Sequence, residues 1–563
     1  MLRIALVSAF LPLVMTGAAQ AGTLYVDANL TTGANDGSSW ADAFQGPGGV
    51  QFALFAALPG DEVFVADGTY WATNTGSRSA SFNLKNGVAL YGGFFGGEAS
   101  LAERPALGVA PSVLTGDLNG DDALGQFGDN SFHIIRTNGT DSTALLDGFD
   151  VVGGNANQGG SNNDRGAGIL CTGPVSPRIV NTRFMDHRAT FGGAAGYING
   201  GAAPQFVNCS FTGGDGGNFG GAFDIAGGGP VVFERCLFEG NTAARAGALE
   251  IFATNSGVVV SSCVFKDNVA TGSGGGGGIW VGSGGNTLFN NITVVGNSSV
   301  VEASGGMRNQ GAGGTVVVNS VFWDNVGAGG AQGPNNQVTT STNVTHSIVQ
   351  GGFAGAGNSG ADPEFVDLAG GDLRLMNTSP GIDAGDTALV PSFSTVDIAG
   401  APRVVDSPFV LNTGTGGAPT VDLGAYEWGS GILQVRSGCV PSGASLTPQS
   451  TSANVGQAFT LDIATTFTEP GFGICYAGAV GLDAGGCGTV VPGIGEVLLS
   501  LVGPQLQVGL TPVTAGQGSF ALTVPSGPSA VGTVFHLQAA AVTAAPIAEP
   551  IEVTELVTGI VEP

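Results

Sequence analysis

The feature that most constrains the fold is a regular spacing of phenylalanines in the middle of the chain. Phe184, Phe211, Phe238 and Phe265 are each 27 residues apart, and Phe322 follows later in the chain. Ile292 lies 27 residues after Phe265 and extends the series. A fixed period of this length indicates one structural unit that is repeated along an axis.

Other residue types repeat with the same period. Small or thiol side chains stand two residues before each anchor: Thr182, Cys209, Cys236, Cys263, Asn290 and Ser320. Apolar side chains stand five residues before it: Ile179, Phe206, Phe233, Val260 and Val317. Positions 0 and −2 share a strand face, whereas position −5 has the wrong parity, which predicts a corner between two strands. Asparagines three residues after the anchor (Asn241, Asn268, Asn325) are expected at a tight left-handed corner.

After each anchor a glycine-rich run opens a further strand, which alternates as in Phe223 and Ile225. Two or three short strands per 27 residues describe one turn of a parallel β-solenoid, in which each turn buries its apolar face only by stacking on the next. Helical repeats of similar length are disfavoured because the 563 residues include 100 glycines. The predicted fold class is therefore all-β.

The N-terminus and the net charge indicate where such a chain works. Residues 4–15 form an apolar run that follows Arg3, and Ala19-Gln20-Ala21 resembles a cleavage site, which predicts a signal peptide over residues 1–21. No other stretch is apolar enough for a membrane span, so we expect a secreted or cell-surface protein without a transmembrane helix in its mature chain. The net charge of −27 argues against nucleic acid as a partner.

The chain divides into three predicted parts. Residues 22–430 form the β-helix, with a short helix at 50–58 as its N-terminal cap and a regular array at about 165–350. Residues 360–428 lose the period. Residues 431–563 alternate in the manner of strands, as at 459–463, 520–524 and 535–538, and are long enough for a separate β-sandwich-like domain.

Several motifs resemble a family of bacterial surface proteins, the choice-of-anchor Q type. The motifs are Tyr25-Val26-Asp27, Asp36-Gly37-Ser38-Ser39-Trp40, Gly60-Asp61-Glu62-Val63-Phe64, Asp362-Pro363-Glu364-Phe365, Ser379-Pro380-Gly381-Ile382-Asp383 and Gly424-Ala425-Tyr426-Glu427. The resemblance covers about residues 22–428 and implies a right-handed parallel β-helix of the pectin-lyase-like superfamily. The glycine-rich repeats also resemble polymorphic outer-membrane proteins. The family has no assigned reaction.

One column of polar residues is a candidate carbohydrate site. Alignment of the strand after the glycines places Asp224, Glu250, Trp280 and Arg308 in one column that faces away from Phe223. Two carboxylates on adjacent turns would lie near the spacing that a retaining glycosidase uses, and a tryptophan can stack on a sugar. The alternative is a solvated outer face that happens to hold charges.

Two further clusters have a functional and a structural interpretation. Asp117, Asn119, Asp121 and Asp122, with the later Asp129, offer oxygen ligands that suit calcium, although the spacing lacks the EF-hand pattern. The alternative there is a turn rich in Asp and Asn. The triplet Asp186-His187-Arg188 follows an anchor, and Asp267 and Asp324 occupy the place of Asp186 in other turns, which favours a capping role over a catalytic triad.

The cysteines also allow two interpretations. The aligned Cys209, Cys236 and Cys263 are expected to be small buried hydrophobic residues, although stacked turns are close enough for a bridge. In an exported protein Cys475 and Cys487 can form a disulfide, for which Cys439 is a competing partner.

The sequence favours a non-enzymatic exported rod that acts in display or adhesion, with a cell-surface or extracellular polysaccharide or protein as its ligand. The alternatives are a carbohydrate-active enzyme, either a polysaccharide lyase or a glycoside hydrolase, and a carbohydrate-binding rod without turnover. A β-helix lyase needs a basic residue and cations that neutralise a uronate, but the array holds one lysine and scattered arginines. None of the four histidines lies in a Gly-His-Gly motif.

Overall fold

The structure is a computed structural model. It describes residues 22–428 apart from 161, 253–256, 283–286, 303, 311–313, 331 and 408–409, and the backbone of strands between 434 and 560. The predicted signal peptide and the side chains of Cys439, Cys475 and Cys487 lie outside the described residues. Among the described residues no helix is long and apolar enough to cross a membrane.

Three long parallel sheets run along the molecule, and the chain visits them in turn. The first sheet comprises Thr23–Asp27, Phe44–Gln45, Glu62–Ala66, Ala89–Phe94, Leu145–Asp147, Arg178–Val180, Gln205–Val207, Val232–Glu234, Val259–Ser261, Thr287–Asn290, Thr315–Val318 and Asn343–Thr345. The second comprises Gly68–Tyr70, Ser112–Thr115, Phe149–Val152, Arg183–Met185, Ser210–Thr212, Leu237–Glu239, Val264–Lys266, Thr293–Val295, Val321–Trp323 and Ile348–Val349. The third comprises Phe82–Asn83, Ile135–Arg136, Ile169–Thr172, Gly196–Asn199, Phe223–Ile225, Leu249–Ile251, Ile279–Val281 and Met307–Asn309. The predicted parallel β-helix is confirmed.

Short elements complete the turns. Two minor parallel sheets are formed by Asn155–Ala156 with Arg188–Ala189, and by Thr242–Ala243, Val269–Ala270 and Ser298–Ser299. The α-helices are Gly49–Ala56 and Pro334–Gln337, and the 3-10 helices are Trp40–Asp42, Leu101–Glu103, Asp122–Leu124, Ala328–Gly330 and Thr387–Leu389. The first α-helix confirms the helix predicted at 50–58, and its buried Val50 and Leu54 join the N-terminal end of the core.

Like side chains stack on like in the core. Phe184, Phe211, Phe238 and Phe265 face one another across successive strands of the second sheet. The rings of Phe238 and Phe265 are parallel, with centroids 4.5 Å apart. The column at −5 is also confirmed, since Phe206 lies opposite Phe233 in the first sheet. Each stacked ring is removed from water, and this burial drives one turn onto the next.

The prediction that Ile292 extends the phenylalanine column is wrong. Val294 lies opposite Phe265, so this turn is two residues longer than the period. Ile292 instead falls below Cys263, at the position two residues before the anchor that was assigned to Asn290. Cys209, Cys236 and Cys263 form a column of buried free thiols, as the structural interpretation predicted.

Asparagines play two roles, and the sequence assigned one of them wrongly. The left-handed corner lies three residues before the anchor, at Asn181, Asn208, Arg235, Ser262, Asn291, Asn319 and His346. The asparagines three residues after the anchor point inward, where Asn241 donates to Asn268 at 2.9 Å and Asn268 donates to Asn297 at 2.8 Å. Asn297 donates to Asn325 at 2.9 Å. This buried amide ladder ends at Gln337, which accepts from Asn325 at 2.7 Å.

The segment from 361 to 428, here called the return segment, runs back along the outside of the array. It contains the antiparallel pair Phe365–Asp367 and Asp372–Leu375. Buried Leu423 and Trp428 share an apolar cluster with Val295 and Val321 of the second sheet. The cluster closes one outer face of the β-helix.

The chain beyond 430 forms antiparallel sheets. One contains Gln434–Arg436, Gly471–Gly478, Gln505–Val513, Val534–Thr543, Ile551–Val553 and Leu556–Ile560. Another contains Ser445–Pro448, Ala458–Ala464 and Gln517–Thr523, and Thr489–Val491 pairs with Gly495–Val497. The strands predicted in this region are present, whereas the sandwich arrangement and the domain boundary stay predictions.

Candidate functional site

The candidate carbohydrate site lies on the outer face of the third sheet. The strand register places Asp224 opposite Glu250, Glu250 opposite Trp280, and Trp280 opposite Arg308. The column therefore has the order that the sequence alignment predicted. Adjacent parallel strands are about 4.8 Å apart, which brings the two carboxylates onto neighbouring turns.

The column is buried rather than solvated. Asp224, Glu250 and Trp280 are 3%, 1% and 3% exposed. The alternative of a solvated charged face is therefore wrong for these three residues. Side chains from the loops on either side of the strands cover the column: Arg165, Phe191, Phe219 and Arg245 precede their strands, and Phe252 follows Leu249–Ile251.

Arg245 is the principal cover. Its guanidinium forms an ion pair with Glu250. It also lies 4.1 Å from the ring centroid of Trp280 and 4.3 Å from that of Phe219. An arginine held between aromatic faces and a carboxylate is stabilised by both, and it separates Glu250 from water.

Arg165 covers the neighbouring position. It donates to the Tyr197 hydroxyl at 3.1 Å and to Asp164 at 3.0 Å, and its guanidinium lies 4.1 Å from the ring centroid of Phe191. Arg165 and Arg245 occupy equivalent positions on different turns. The strand register pairs Arg165 with Gly192 and Gly192 with Phe219, and Arg245 occupies the equivalent position one turn after Phe219.

Burial changes the titration of the carboxylate pair. Loss of hydration and repulsion by Glu250 raise the pKa of Asp224 to about 7, against the opposing fields of Arg165 and Arg245. Burial also raises the pKa of Glu250, whereas its ion pair with Arg245 opposes that rise. Since Glu250 holds the direct ion pair, we assign the proton that the pair keeps near neutral pH to Asp224.

Trp280 and Arg308 are engaged with other side chains. The Phe252 ring is stacked on Trp280 with centroids 5.8 Å apart, so a sugar that stacked on Trp280 would have to displace Phe252 or Arg245. Arg308 donates to Glu302 at 2.5 Å. The carbohydrate role of Asp224, Glu250, Trp280 and Arg308 stays a prediction.

The acidic loop brings together a partly different set from the predicted one. One oxygen from each of Asp117, Asp121 and Asp129 lies within 4.8 Å of the other two. Asp122 instead accepts from the Asn130 amide at 2.9 Å, and Asn119 contributes its backbone N–H to Asp129 at 2.9 Å. Desolvation and the neighbouring Asp129 and Asp117 raise the pKa of Asp121.

One feature of this loop favours a bound calcium ion and another opposes it. The Oδ1 atom of Asp121 is buried without a hydrogen-bond partner, and a cation there would relieve the repulsion among the three carboxylates. The other oxygens already accept backbone N–H groups, since Gly120 and Asp121 both donate to Asp117. The donor set is the oxygen-rich kind that calcium takes, and Asp117, Asp121 and Asp129 would hold the ion.

The triplet at 186–188 is structural, as the simpler interpretation predicted. Asp186 lies in the left-handed region with a φ of 57°. His187 is buried, accepts from the backbone N–H of Gly154 at 3.0 Å, and has a pKa that burial lowers to about 3. Arg188 turns away to the Phe127 ring, 3.9 Å from its centroid. The three side chains do not converge on one site.

The covering residues Arg165, Phe219 and Arg245 were not predicted from the sequence. Their spacing of 54 and then 26 residues follows the repeat, so the period itself was a usable signal. Their chemical types differ from turn to turn, and for this reason the column does not stand out in the sequence.

A family model supports the β-helix fold. A family model described as a right handed beta helix region matches residues 157–298. The crystal structure of pectate lyase Pel9A is similar at 16% sequence identity, covering 73% of this chain and 97% of that chain with a TM-score of 0.41. A search of curated proteins found no match. The chain folds as a right-handed parallel β-helix, and its resemblance to choice-of-anchor Q type proteins stays a prediction.

Proposed function

We propose that this chain is an exported, non-enzymatic rod that acts in display or adhesion at the cell surface or outside the cell. The β-helix supplies a stiff axis, because twelve stacked strands at about 4.8 Å extend roughly 50 Å. The loops that leave the turns would present ligand-binding groups along that axis. The ligand would be a polysaccharide or protein outside the cell.

The observation that carries the proposal is the cover over the carboxylate pair. A glycosidase needs an acid and a nucleophile or base that reach the scissile bond from an open groove. Asp224 and Glu250 are almost fully buried beneath Arg245 and its aromatic neighbours. A raised carboxyl pKa is a common feature of catalytic sites, but a buried ion-pair network has the same effect without turnover.

A second candidate function is carbohydrate binding on the same face. Phe191 and Phe252, which belong to the cover over the column, are 36% and 48% exposed. Phe191 packs on Phe219 with ring centroids 4.9 Å apart. Partly exposed rings that are held in place by packing suit the apolar faces of sugars.

Activity on polysaccharides tests the proposal. The full-length secreted chain is incubated with a panel of acidic and neutral polysaccharides, and new reducing ends are measured. We expect no release by the wild type, and none by the Asp224→Asn or Glu250→Gln variants. Release by the wild type that both variants abolish would replace the display proposal with the enzyme alternative.

Binding and location separate the remaining candidates. Immobilised polysaccharides that retain the wild type but not a Phe191→Ala/Phe252→Ala variant would favour the carbohydrate-binding rod. Fractionation of native cells with an antibody should find the chain at the surface or in the medium. Recovery from the cytoplasm would remove the exported location on which display depends.

A further inference from the structure

The left-handed corner of the β-helix is occupied mainly by asparagine, and Arg235, Ser262 and His346 are the exceptions among the described turns. Asn181 and Asn208 occupy this corner on successive turns, and asparagine tolerates positive φ. The next turn has Arg235 there, with a φ of 54°. A long side chain in the left-handed region costs free energy, and such backbone strain is found most often at functional sites.

Arg235 lines a cavity of about 340 Å³ on the outside of this corner. Turns of the array form the floor, with Asn181, Arg183, Asn208 and Ser210. One wall is an excursion from the N-terminal turns, at 107–111, and the other is Ile398 and Tyr426 of the return segment. Segments nearly 300 residues apart in sequence thus enclose the same space.

The polar groups of the floor are largely paired with one another. Arg183 makes two hydrogen bonds to Asp150, both 2.6 Å long, and this pair is neutral. Asn208 donates to Asn181 at 2.6 Å, and Asn181 donates to Asp147 at 3.0 Å. These contacts leave few polar groups of the floor without a hydrogen-bond partner.

Arg235 differs from its neighbours. Among the described residues it forms no ion pair, and its buried Nε has no hydrogen-bond partner. A buried unpaired donor costs free energy until a ligand or water satisfies it. Arg78, Arg136, Arg178 and Arg188 also form no ion pair among the described residues, but none of them lines this cavity.

The remaining lining is apolar. Leu107, Leu237 and Ile398 line the cavity together with Tyr426. Apolar walls with one fixed charged group are the usual composition of a small-molecule site, in which the walls provide burial and the polar group fixes the orientation. One unpaired positive charge matches one negative charge on the ligand.

We propose that this cavity binds a small monocarboxylate. Its carboxylate pairs with the guanidinium of Arg235, and its apolar or ring-shaped body packs against Leu107, Ile398 and Tyr426. The site is separate from the Asp224 column and goes beyond display or adhesion. The carboxylate could belong to an aryl acid or to an acidic sugar, and the chemistry at Arg235 is shared by both.

Titration calorimetry on the full-length chain tests the proposal with matched ligand pairs. Benzoate is compared with benzamide, and glucuronate with glucose, so that each pair differs in charge on a similar body. We expect at least one acid to bind and its neutral counterpart to bind at least about tenfold more weakly. The acid that binds identifies the ligand source. Absence of binding by both acids, or equal binding by an acid and its neutral counterpart, would overturn the proposal.

The Arg235→Asn variant sharpens the test because asparagine already occupies this corner on two neighbouring turns. It should fold with an unchanged or higher Tm and lose acid binding at least about tenfold. Arg178→Gln removes the same charge from an exposed strand position outside the cavity, and it should bind as the wild type does. Retention of full affinity by Arg235→Asn, or an equal loss in Arg178→Gln, would refute a specific role for Arg235.

Discussion

The array and the return segment both contain buried side chains, but different interactions hold them in place. In the array each turn places a side chain on a copy of itself, as with the Phe238 ring between Phe211 and Phe265. In the return segment contacts are made once, between unlike groups, as with Arg403 and Glu427 at 2.8 Å. Apolar stacking does not depend on protonation, whereas a buried ionic network depends on every partner and on its protonation state.

Hydrogen bonds join this ionic network to the array, beside the apolar cluster that contains Leu423 and Trp428. Arg403 is 1% exposed and reaches the Ser262 hydroxyl of the array at 3.3 Å. Asn291 donates to the Asp422 carbonyl at 2.7 Å, and Asn319 donates to the Asp386 carbonyl at 3.0 Å. The corner asparagines of the array thus provide the contacts that the segment uses.

The largest expected effect is in the array. Phe238→Ala removes a fully buried ring that packs between two others, and should lower the free energy of unfolding by about 3–5 kcal/mol. Urea denaturation followed by circular dichroism measures the change. Phe252→Ala, in which the lost ring is half-exposed, is the control and should cost less than half as much. Equal losses would mean that stacking in the core does not dominate.

The second expected effect is in the return segment. Arg403→Met leaves Glu427 and Asp422 buried without their cation, and should destabilise the docked segment by about 3 kcal/mol. Hydrogen exchange should find the loss in residues 383–428, with the array still protected. The double variant Arg403→Met/Glu427→Met removes both charges and should recover much of the protection. Without recovery, packing of the arginine rather than its charge would account for the loss.

The smallest expected effect is a pH dependence confined to the return segment. Burial raises the pKa of Asp383 to about 6, that of Glu427 to about 7, and that of Asp422 well above its usual range. Because these pKa values are raised in the folded state, their contribution to stability is complete below about pH 4 and is lost as the pH rises through 6 to 7. The segment should therefore be docked less firmly at pH 8 than at pH 5.

Hydrogen exchange at the two pH values, corrected for intrinsic rates, measures this difference. Array amides remote from Asp224 should show no change, because the stacked rings and amides there do not titrate. Asp383→Asn should flatten part of the dependence. Protection of the segment that increases with pH would contradict the assigned direction of these pKa shifts.

The same contrast explains what could be predicted from the sequence. The phenylalanine column, the corner before it and the strand of Phe223 were legible because their residue types repeat. Ile292 was misplaced because one turn is two residues longer, which a constant period cannot reveal. The inward direction of Asn241 and Asn268 was missed because asparagine suits both a left-handed corner and a buried ladder, and spacing alone does not distinguish them.

The sequence predicted the column of the candidate site but not the side chains that cover it. Asp224 and Glu250 were aligned correctly, but their burial depends on Arg165 and Arg245, whose column alternates between arginine, glycine and phenylalanine. The return segment was beyond prediction for a related reason. Its contacts join residues such as Arg403 and Ser262, which are 141 positions apart and share no repeating pattern.

The amide ladder ends at Gln337, and this end limits how many turns the ladder can join. Gln337 accepts from Asn325 but directs its own amide back to the Asn325 carbonyl at 2.9 Å and toward Gln350 at 3.1 Å. It therefore offers no onward donor in the direction of growth, and a further turn could not join the series while this side chain is in place. A duplicated turn inserted before Gln337 would keep every hydrogen bond in register, so rods of this design can lengthen only in whole turns and only upstream of that stop.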